Sequence, residues 1–459
     1  MDVQTIRSNF KPGTKAHLVG IGGVSMSPLA EVLLGMGLII TGSDNKESAT
    51  VAHLRSLGIP VTIGHFAENV NGAQMVIRTA AVHDSNPEIA SAHAQGIPVY
   101  ERAQAWGALM MDYKNALCIS GTHGKTTTTS MCTHIAMAAQ IDPTIMIGGT
   151  LPLLNAGHRV GKGDTIILES CEYCDSFLSF RPTVAVVLDI EADHLDYFKD
   201  LADVEKSFRQ FAELVPQDTG VVIANADDEN TMVTLSGISK RLVTYGVEHP
   251  ADVTARNLRF TQGLPDFDIY YHDEFFTHVE LQVPGLHNVK NALAAAASAL
   301  MLGLSAEAVS QGLGQFRGAG RRFEKKGEYH GAMVYDDYAH HPGEIQALLD
   351  AVSGMGYKRI IVAFQPHTYT RTKALFSDFV TQLRRPTKTI LAEIYAAREV
   401  NTLNIHSQDL ADQIDGAECY DTPAQVAERL AELAQPGDLI LTVGAGDIYT
   451  AGEILVAKN

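Results

Sequence analysis

The residues with the greatest capacity for chemistry lie in Gly121-Thr122-His123-Gly124-Lys125-Thr126-Thr127, directly after the apolar stretch Leu117 to Ser120. A glycine-rich turn between a strand and a helix exposes successive backbone N–H groups, and the helix dipole adds positive potential there. Phosphate is the ligand such a turn attracts. Lys125 can reach terminal phosphates as a point charge, and the Thr126 hydroxyl can join a magnesium ion. Ile119 stands where the longer phosphate-loop pattern has its first glycine, so this is the shorter form G-T-x-G-K-T.

Two later apolar runs deliver acids and an imidazole. Ile166-Ile167-Leu168 leads to Glu169 and Glu172, and Val186-Val187-Leu188 leads to Asp189, Glu191, Asp193 and His194. Ligands of parallel α/β sheets bind beyond the carboxyl ends of the strands, so these groups should meet the phosphate loop. Magnesium prefers oxygen, which nominates Glu172; imidazole is a less usual donor, and His194 is nominated by its position. The expected catalytic set is Lys125, Glu172 and His194, with Thr126, Glu172 and His194 as metal ligands. Cys171 and Cys174 form a C-x-x-C pair. It lacks the second pair of a zinc site and a thioredoxin-like context, so chance spacing is the preferred reading.

Two further clusters can bind small molecules. Gly20-Ile21-Gly22-Gly23-Val24-Ser25 resembles the dinucleotide fingerprint G-x-G-x-x-G, with Ser25 in the last glycine position, and Ser43-Asp44 ends the next strand. That geometry serves any nucleotide diphosphate, whether of NAD or of a UDP-sugar. Asp336-Asp337-Tyr338-Ala339-His340-His341-Pro342 follows another apolar run, and Arg371 offers a carboxylate-binding guanidinium. Gln365-Pro366-His367 and Gly444-Ala445-Gly446-Asp447 are similar strand-end loops.

These groups need strands that end in loops, and the chain supplies them. Short apolar runs alternate with helical patterns such as Met26, Leu29, Ala30, Leu33 and Leu34, which is the signature of α/β domains with mostly parallel sheets. Residues 251–283 read instead as a small antiparallel excursion, and Gly312 to Gly320 as a glycine-rich boundary. The 459 residues suggest about three domains, placed at 1–105, 106–315 and 316–459. A net charge of -18 argues against nucleic-acid binding, which rests on Lys and Arg neutralising phosphates. No run approaches the roughly 20 apolar residues needed to cross a bilayer. The N-terminus does not read as a signal peptide, and five cysteines in so long a chain do not make a disulfide framework. A cytoplasmic protein, monomeric or weakly dimeric, is expected.

The ordered set VGIGG, GTHGKTTT, ESCEYCDSFL, DIEADHLDYF, PGLHNVKNALAA, GRRFE, DDYAHHP, FQPHTYTRT and VGAGDIY resembles the Mur ligase family of bacterial peptidoglycan synthesis over nearly the whole chain. The resemblance implies a Rossmann-like N-terminal domain holding a UDP-sugar through Gly22, Gly23, Ser43 and Asp44. It implies a central P-loop ATPase domain and a Rossmann-like C-terminal domain for the incoming amino acid. By the same resemblance Lys125 binds the β- and γ-phosphates, Thr126 and Glu172 hold one magnesium, and His194 holds a second. Asn288 and Asn291 line the adenine and central site, Arg322 and Asp337 hold ATP from the third domain, and Tyr338, His340 and Arg371 form the amino-acid pocket. The implied reaction joins L-alanine to the lactyl carboxylate of UDP-N-acetylmuramate through an acyl phosphate, with the third domain closing over the centre. The chain departs from many relatives at Ser25, Pro28 and Cys171. Some relatives use a carbamylated lysine, for which Lys206 is a bare candidate. Within the family the alternative is a ligase that recycles a tripeptide onto the same sugar nucleotide. Outside it stand an NAD-binding oxidoreductase and a non-catalytic nucleotide-binding module.

Overall fold

The computed structural model describes residues 3–79, 81–195, 197–397 and 399–458, which fall into two compact units. The first comprises residues 1–193, 200–251 and 294–309, and the second residues 194–199, 252–293 and 310–459.

Two sheets lie in the first unit. Strands β1 (Lys15–Val19), β2 (Ile39–Asp44), β3 (Val61–Ile63), β4 (Met75–Arg78) and β5 (Val99–Glu101) pair in parallel in the order β3-β2-β1-β4-β5. This is the doubly wound order, and the strand order switches sides between β1 and β4, beside the loop that begins at Gly20. The expected Rossmann-like start is therefore present. Strand β2 continues through Gly42-Ser43-Asp44, beyond the end of its apolar run.

The second sheet contributes β6 (Asn115–Ser120), β7 (Thr144–Leu151), β8 (Ala156–Arg159), β9 (Thr165–Glu169), β10 (Val184–Val187), β11 (Val221–Asn225) and β12 (Arg241–Gly246). Their order is β12-β11-β10-β6-β9-β7-β8, and β8 alone among them runs antiparallel. Strands β9 and β10 thus flank β6, although both follow it in sequence. All residues of β10 and β11 are buried, which is why these strands read as unbroken apolar runs. The helix Leu201–Glu213 starts at Asp200, whose side chain accepts the Asp203 amide at 3.1 Å. It buries Phe208 and Phe211 against Phe177, which stacks on Phe211 with ring centroids 4.6 Å apart.

In the second unit β13 (Val253–Thr261), β14 (Leu264–Tyr271) and β15 (Glu274–Glu280) form the antiparallel excursion. Strands β16 (Glu324–Tyr329), β17 (Ala332–Asp337), β18 (Arg359–Phe364), β19 (Lys388–Ala392), β20 (Glu418–Tyr420) and β21 (Asp438–Val443) form a sheet ordered β16-β17-β21-β18-β19-β20. Only its edge strand β16 is antiparallel. One face packs Ile345, Leu349, Phe379 and Leu410, and the other packs Val426, Leu430 and Leu455, so helices cover both sides. The glycine-rich boundary is in part a helix, Ala306–Gln315. Val309, Leu313 and Phe316 recur at helical spacing and are fully buried, which outweighs the low helix propensity of Gly312 and Gly314.

Helix Arg102–Met110 packs tightly at Gly107, where an added Cβ would lie 1.9 Å from the Ser179 carbonyl oxygen. Gly107→Ala should therefore destabilise the chain by about 1–3 kcal/mol, since backbone must move to admit the methyl. Urea unfolding checks this, and an unchanged midpoint would show that the contact yields without cost.

Candidate active site

Strand β6 delivers the phosphate loop, and its neighbours hold it. Gly121 has φ +148°, and a Cβ there would meet Leu188 Cβ at 2.8 Å and Asp189 Oδ1 at 2.9 Å, so only glycine fits. The loop is tied to the end of β10 by Thr122 N to Asp189 O at 3.1 Å, His123 N to Asp189 Oδ1 at 2.8 Å and Glu191 N to Thr122 Oγ1 at 2.8 Å. Burial pushes the Asp189 carboxyl up to about 6, despite the His123 charge and amide nearby. The side chain acts as a bracket for the loop.

Helix Lys125–Ala138 begins inside the loop, so Lys125, Thr126 and Thr127 form its first turn. Lys125 Nζ donates to the Gly121 carbonyl, to Thr122 O at 3.0 Å and to Glu172 Oε2 at 3.0 Å. Burial works against its charge, but Glu172 outweighs that cost and holds the ammonium above its ordinary range. Thr126 Oγ1 donates to Glu169 Oε1 at 2.9 Å, and Gly148 N to Glu169 Oε2 at 2.7 Å. The structure thus brings Gly121 to Thr127 together with Glu172, and places Thr126 directly on Glu169. Sequence reading noticed Glu169 as a strand-end acid without assigning it a role.

At the switch point of the first sheet, Gly20 N and Ile21 N donate to Ser43 O at 2.9 and 3.0 Å, and Gly22 N donates to Asp44 Oδ2 at 2.9 Å. Gly22, Gly23, Ser43 and Asp44 are therefore one rigid loop pair. Glu88, which no motif marked, anchors it from below. Its carboxylate is fully buried and accepts Ser43 Oγ at 2.7 Å, His65 Nδ1 at 2.8 Å and Asn69 Nδ2 at 2.5 Å, with His17 Nε2 at 3.4 Å. Asn86-Pro87 marks a helix start in the sequence, but nothing there shows that the next carboxylate turns inward.

The remaining expected residues lie in the second unit. His194 adopts φ +54°, and its carbonyl accepts the amides of Tyr197 and Phe198 at 2.8 and 2.9 Å. Asn288 and Asn291 are buried at one helical turn on Leu286–Met301, with Asn291 Nδ2 3.3 Å from Asn288 Oδ1. Strands β17 and β18 flank β21, so Asp337, Gln365 and Gly444 meet at one sheet end. Asp337 accepts the amides of Phe323 and Ala339 at 2.7 and 2.8 Å. Burial raises its carboxyl to about 6, and the Arg322 charge only partly offsets this. Arg322 lies over the Tyr338 ring at 5.1 Å, with Nη1 3.7 Å from Glu344. His340 Nδ1 faces Tyr338 O at 3.0 Å and Glu344 at 3.3 Å, and Arg371 Nη1 lies 3.3 Å from His367 Nδ1. Arg321, missed beside Arg322, fixes the loops by donating to Asp336 at 2.9 Å and to the Gly444 and Gly446 carbonyls at 2.6 and 3.0 Å.

The Glu88 cluster has a measurable consequence. Burial pushes Glu88 up, but hydrogen bonds from His17, Asn69, Ser43 and His65 prevail and hold it at about 2, below the ordinary 4.5. A depressed carboxyl stabilises the fold fully above pH 4.5 and loses that contribution as pH falls toward 2. Glu88→Gln should cost roughly 1–3 kcal/mol at neutral pH and flatten the stability profile across that window. Urea unfolding against pH checks this; parallel profiles for the two proteins would contradict it.

Three family profiles match the chain in succession: the Mur ligase family catalytic domain over residues 15–114, the Mur ligase middle domain over 119–299, and the Mur ligase glutamate ligase domain over 321–446. The chain is 45% identical to the UDP-N-acetylmuramate–L-alanine ligase of Caldanaerobacter subterraneus subsp. tengcongensis, across 97% of this chain and 98% of that protein. It is 44% identical to the enzyme of the same name from Clostridium novyi, across 99% of each. Its fold is similar to the crystal structure of the UDP-N-acetylmuramate–alanine ligase of Thermotoga maritima, with a TM-score of 0.80 and 28% identity over 97% of this chain and 98% of that one. Consecutive profiles along the sequence, and such identity over nearly its full length, establish that the chain belongs to the Mur ligase family.

Proposed function

We propose that the chain joins L-alanine to UDP-N-acetylmuramate at the expense of ATP, in the synthesis of peptidoglycan precursors. The observation that carries this reading is the enclosed Lys125 ammonium on the phosphate loop, in a chain 45% identical over nearly its full length to a ligase of that name. ATP would occupy the loop, with its phosphates on the amides at the helix start, Gly124 to Thr127, and on Lys125. Arg322, Asp337, Asn288 and Asn291 are proposed as further nucleotide-binding residues. Gly22, Gly23, Ser43 and Asp44 would hold the UDP-sugar, and Tyr338, His340 and Arg371 the alanine. On this reading a three-part division at residues 105 and 315 would give each substrate its own domain.

A carboxylate does not react with an amine unaided. An oxygen of the lactyl carboxylate attacks the γ-phosphorus of ATP, the bond to the β-phosphate oxygen breaks, and ADP leaves. The alanine amine then attacks the acyl phosphate, inorganic phosphate leaves, and the amine loses a proton. Lys125 exchanges its loop carbonyls and Glu172 for phosphoryl oxygens, stabilising charge that spreads over the transferring group. Thr126 Oγ1, Glu169 and Glu172 make an oxygen-only donor set of the kind magnesium prefers, and they would hold it, with His194 proposed for a second ion. Bound magnesium would supply neutralisation of phosphate charge. The enzyme proposed is cytoplasmic and monomeric or weakly dimeric; its cysteines are free, which suits the first of these. No helix among the described residues is long and apolar enough to cross a membrane.

Phosphate release from ATP in the presence of UDP-N-acetylmuramate should depend on L-alanine. Equal release with glycine, D-glutamate or a tripeptide would refute the substrate assignment. Lys125→Ala should lower turnover at least about 100-fold while UDP-sugar affinity, measured by calorimetry, stays unchanged.

A further inference from the structure

We infer that Arg102 is the specificity residue that recognises the carboxylate about to be phosphorylated, an assignment that rests on the ligase reading above. Arg102 opens the helix Arg102–Met110 directly after β5. It is only partly exposed, and its Nη1 donates to Ser25 Oγ at the end of the nucleotide loop. Among the described residues Ser25 Oγ is its one hydrogen-bond acceptor, and no carboxylate pairs with it. Arg78 and Arg159 of the same unit are paired with Asp84 and Asp142, whereas Arg181 donates to the Ser179 and Phe180 carbonyls. Burial holds the Arg102 guanidinium below its ordinary range, and the Glu101 charge only partly opposes it. An enclosed cation is costly unless an anion joins it, and a guanidinium fork matches a carboxylate with two parallel hydrogen bonds.

The surroundings indicate which anion. Ser25 is held by Trp106, whose Nε1 donates to Ser25 O at 3.1 Å. Ser25 Oγ also lies 2.9 Å from the sulfur of Met146 on β7. Two residues on, the Gly148 amide binds Glu169, which in turn holds Thr126 of the phosphate loop. Arg102 therefore stands between the nucleotide loop and the phosphate loop. On the ligase reading the diphosphate of the sugar nucleotide lies against the loop after β1. The group of the same ligand that must reach the γ-phosphate is its carboxylate, and Arg102 borders that path. A neutral analogue would leave the guanidinium enclosed and unpaired, which gives the site a physical means of rejecting it.

Calorimetric titration of the full chain with UDP-N-acetylmuramate and with UDP-N-acetylglucosamine, which lacks the lactyl carboxylate, tests the assignment. The wild type should prefer the carboxylated ligand at least about tenfold, and Arg102→Ala should abolish that preference. Its affinity for UDP-N-acetylglucosamine and for ADP should change less than about twofold, which also reports an intact fold. Arg102→Lys keeps the charge but not the fork and should retain part of the preference, providing a second reading if the alanine variant folds poorly. Equal weakening of both sugar nucleotides would move Arg102 to the diphosphate and overturn the inference, as would an unchanged preference. A wild type that binds both sugar nucleotides without preference would overturn it too, leaving the ligase reading standing. Failure of the wild type to bind either one would instead sink the ligase reading.

Discussion

The pairing of Lys125 with Glu172 is the interaction on which the candidate site turns. An ammonium enclosed in protein cannot be left alone, and here a carboxylate and two loop carbonyls satisfy it. Those same contacts preorganise the loop for phosphate. A ligand that supplies oxygen atoms carrying more charge can take the carbonyls' place while the lysine moves little. The geometry needs β9 and β10 on either side of β6, because Glu172 follows one neighbour and the Asp189 bracket follows the other. Strand order is thus part of the chemistry.

The chain carries a net charge of -18, yet several acids in the regions proposed to bind a substrate are already engaged within the protein. Glu88 is consumed by serine, asparagine and histidines, and Asp44 takes the Gly22 amide. Asp189 and Asp337, buried enough to titrate near 6, accept backbone amides and shape the turns around them. Acids at strand ends therefore do two kinds of work. Some face the place where phosphate would sit, and others brace the loops that reach it. Arg321 does the same bracing with a positive charge.

Much of this was legible in the residues themselves. The phosphate loop, the alternation of strand and helix, the antiparallel excursion and the candidate acids all follow from local spacing, because turn chemistry and hydrophobic period are short-range properties. The helix over Ala306–Gln315 was hidden by its glycines, since local propensity opposed a burial pattern that only packing could reward. Short edge strands such as β3, β5 and β20 were equally hard to see, as three residues carry too little periodicity to stand out.

What the sequence by itself determined was the loop from Gly121 to Thr127 between a strand and a helix, because such a turn is written in consecutive residues. Only the tertiary structure decided which acids serve it. Glu169 joins Thr126, Glu172 joins Lys125, and Glu88 turns inward to hold Ser43. Whether a carboxylate faces a ligand, a cation or a backbone amide depends on strand order and burial, and these arise from contacts among residues far apart in the chain.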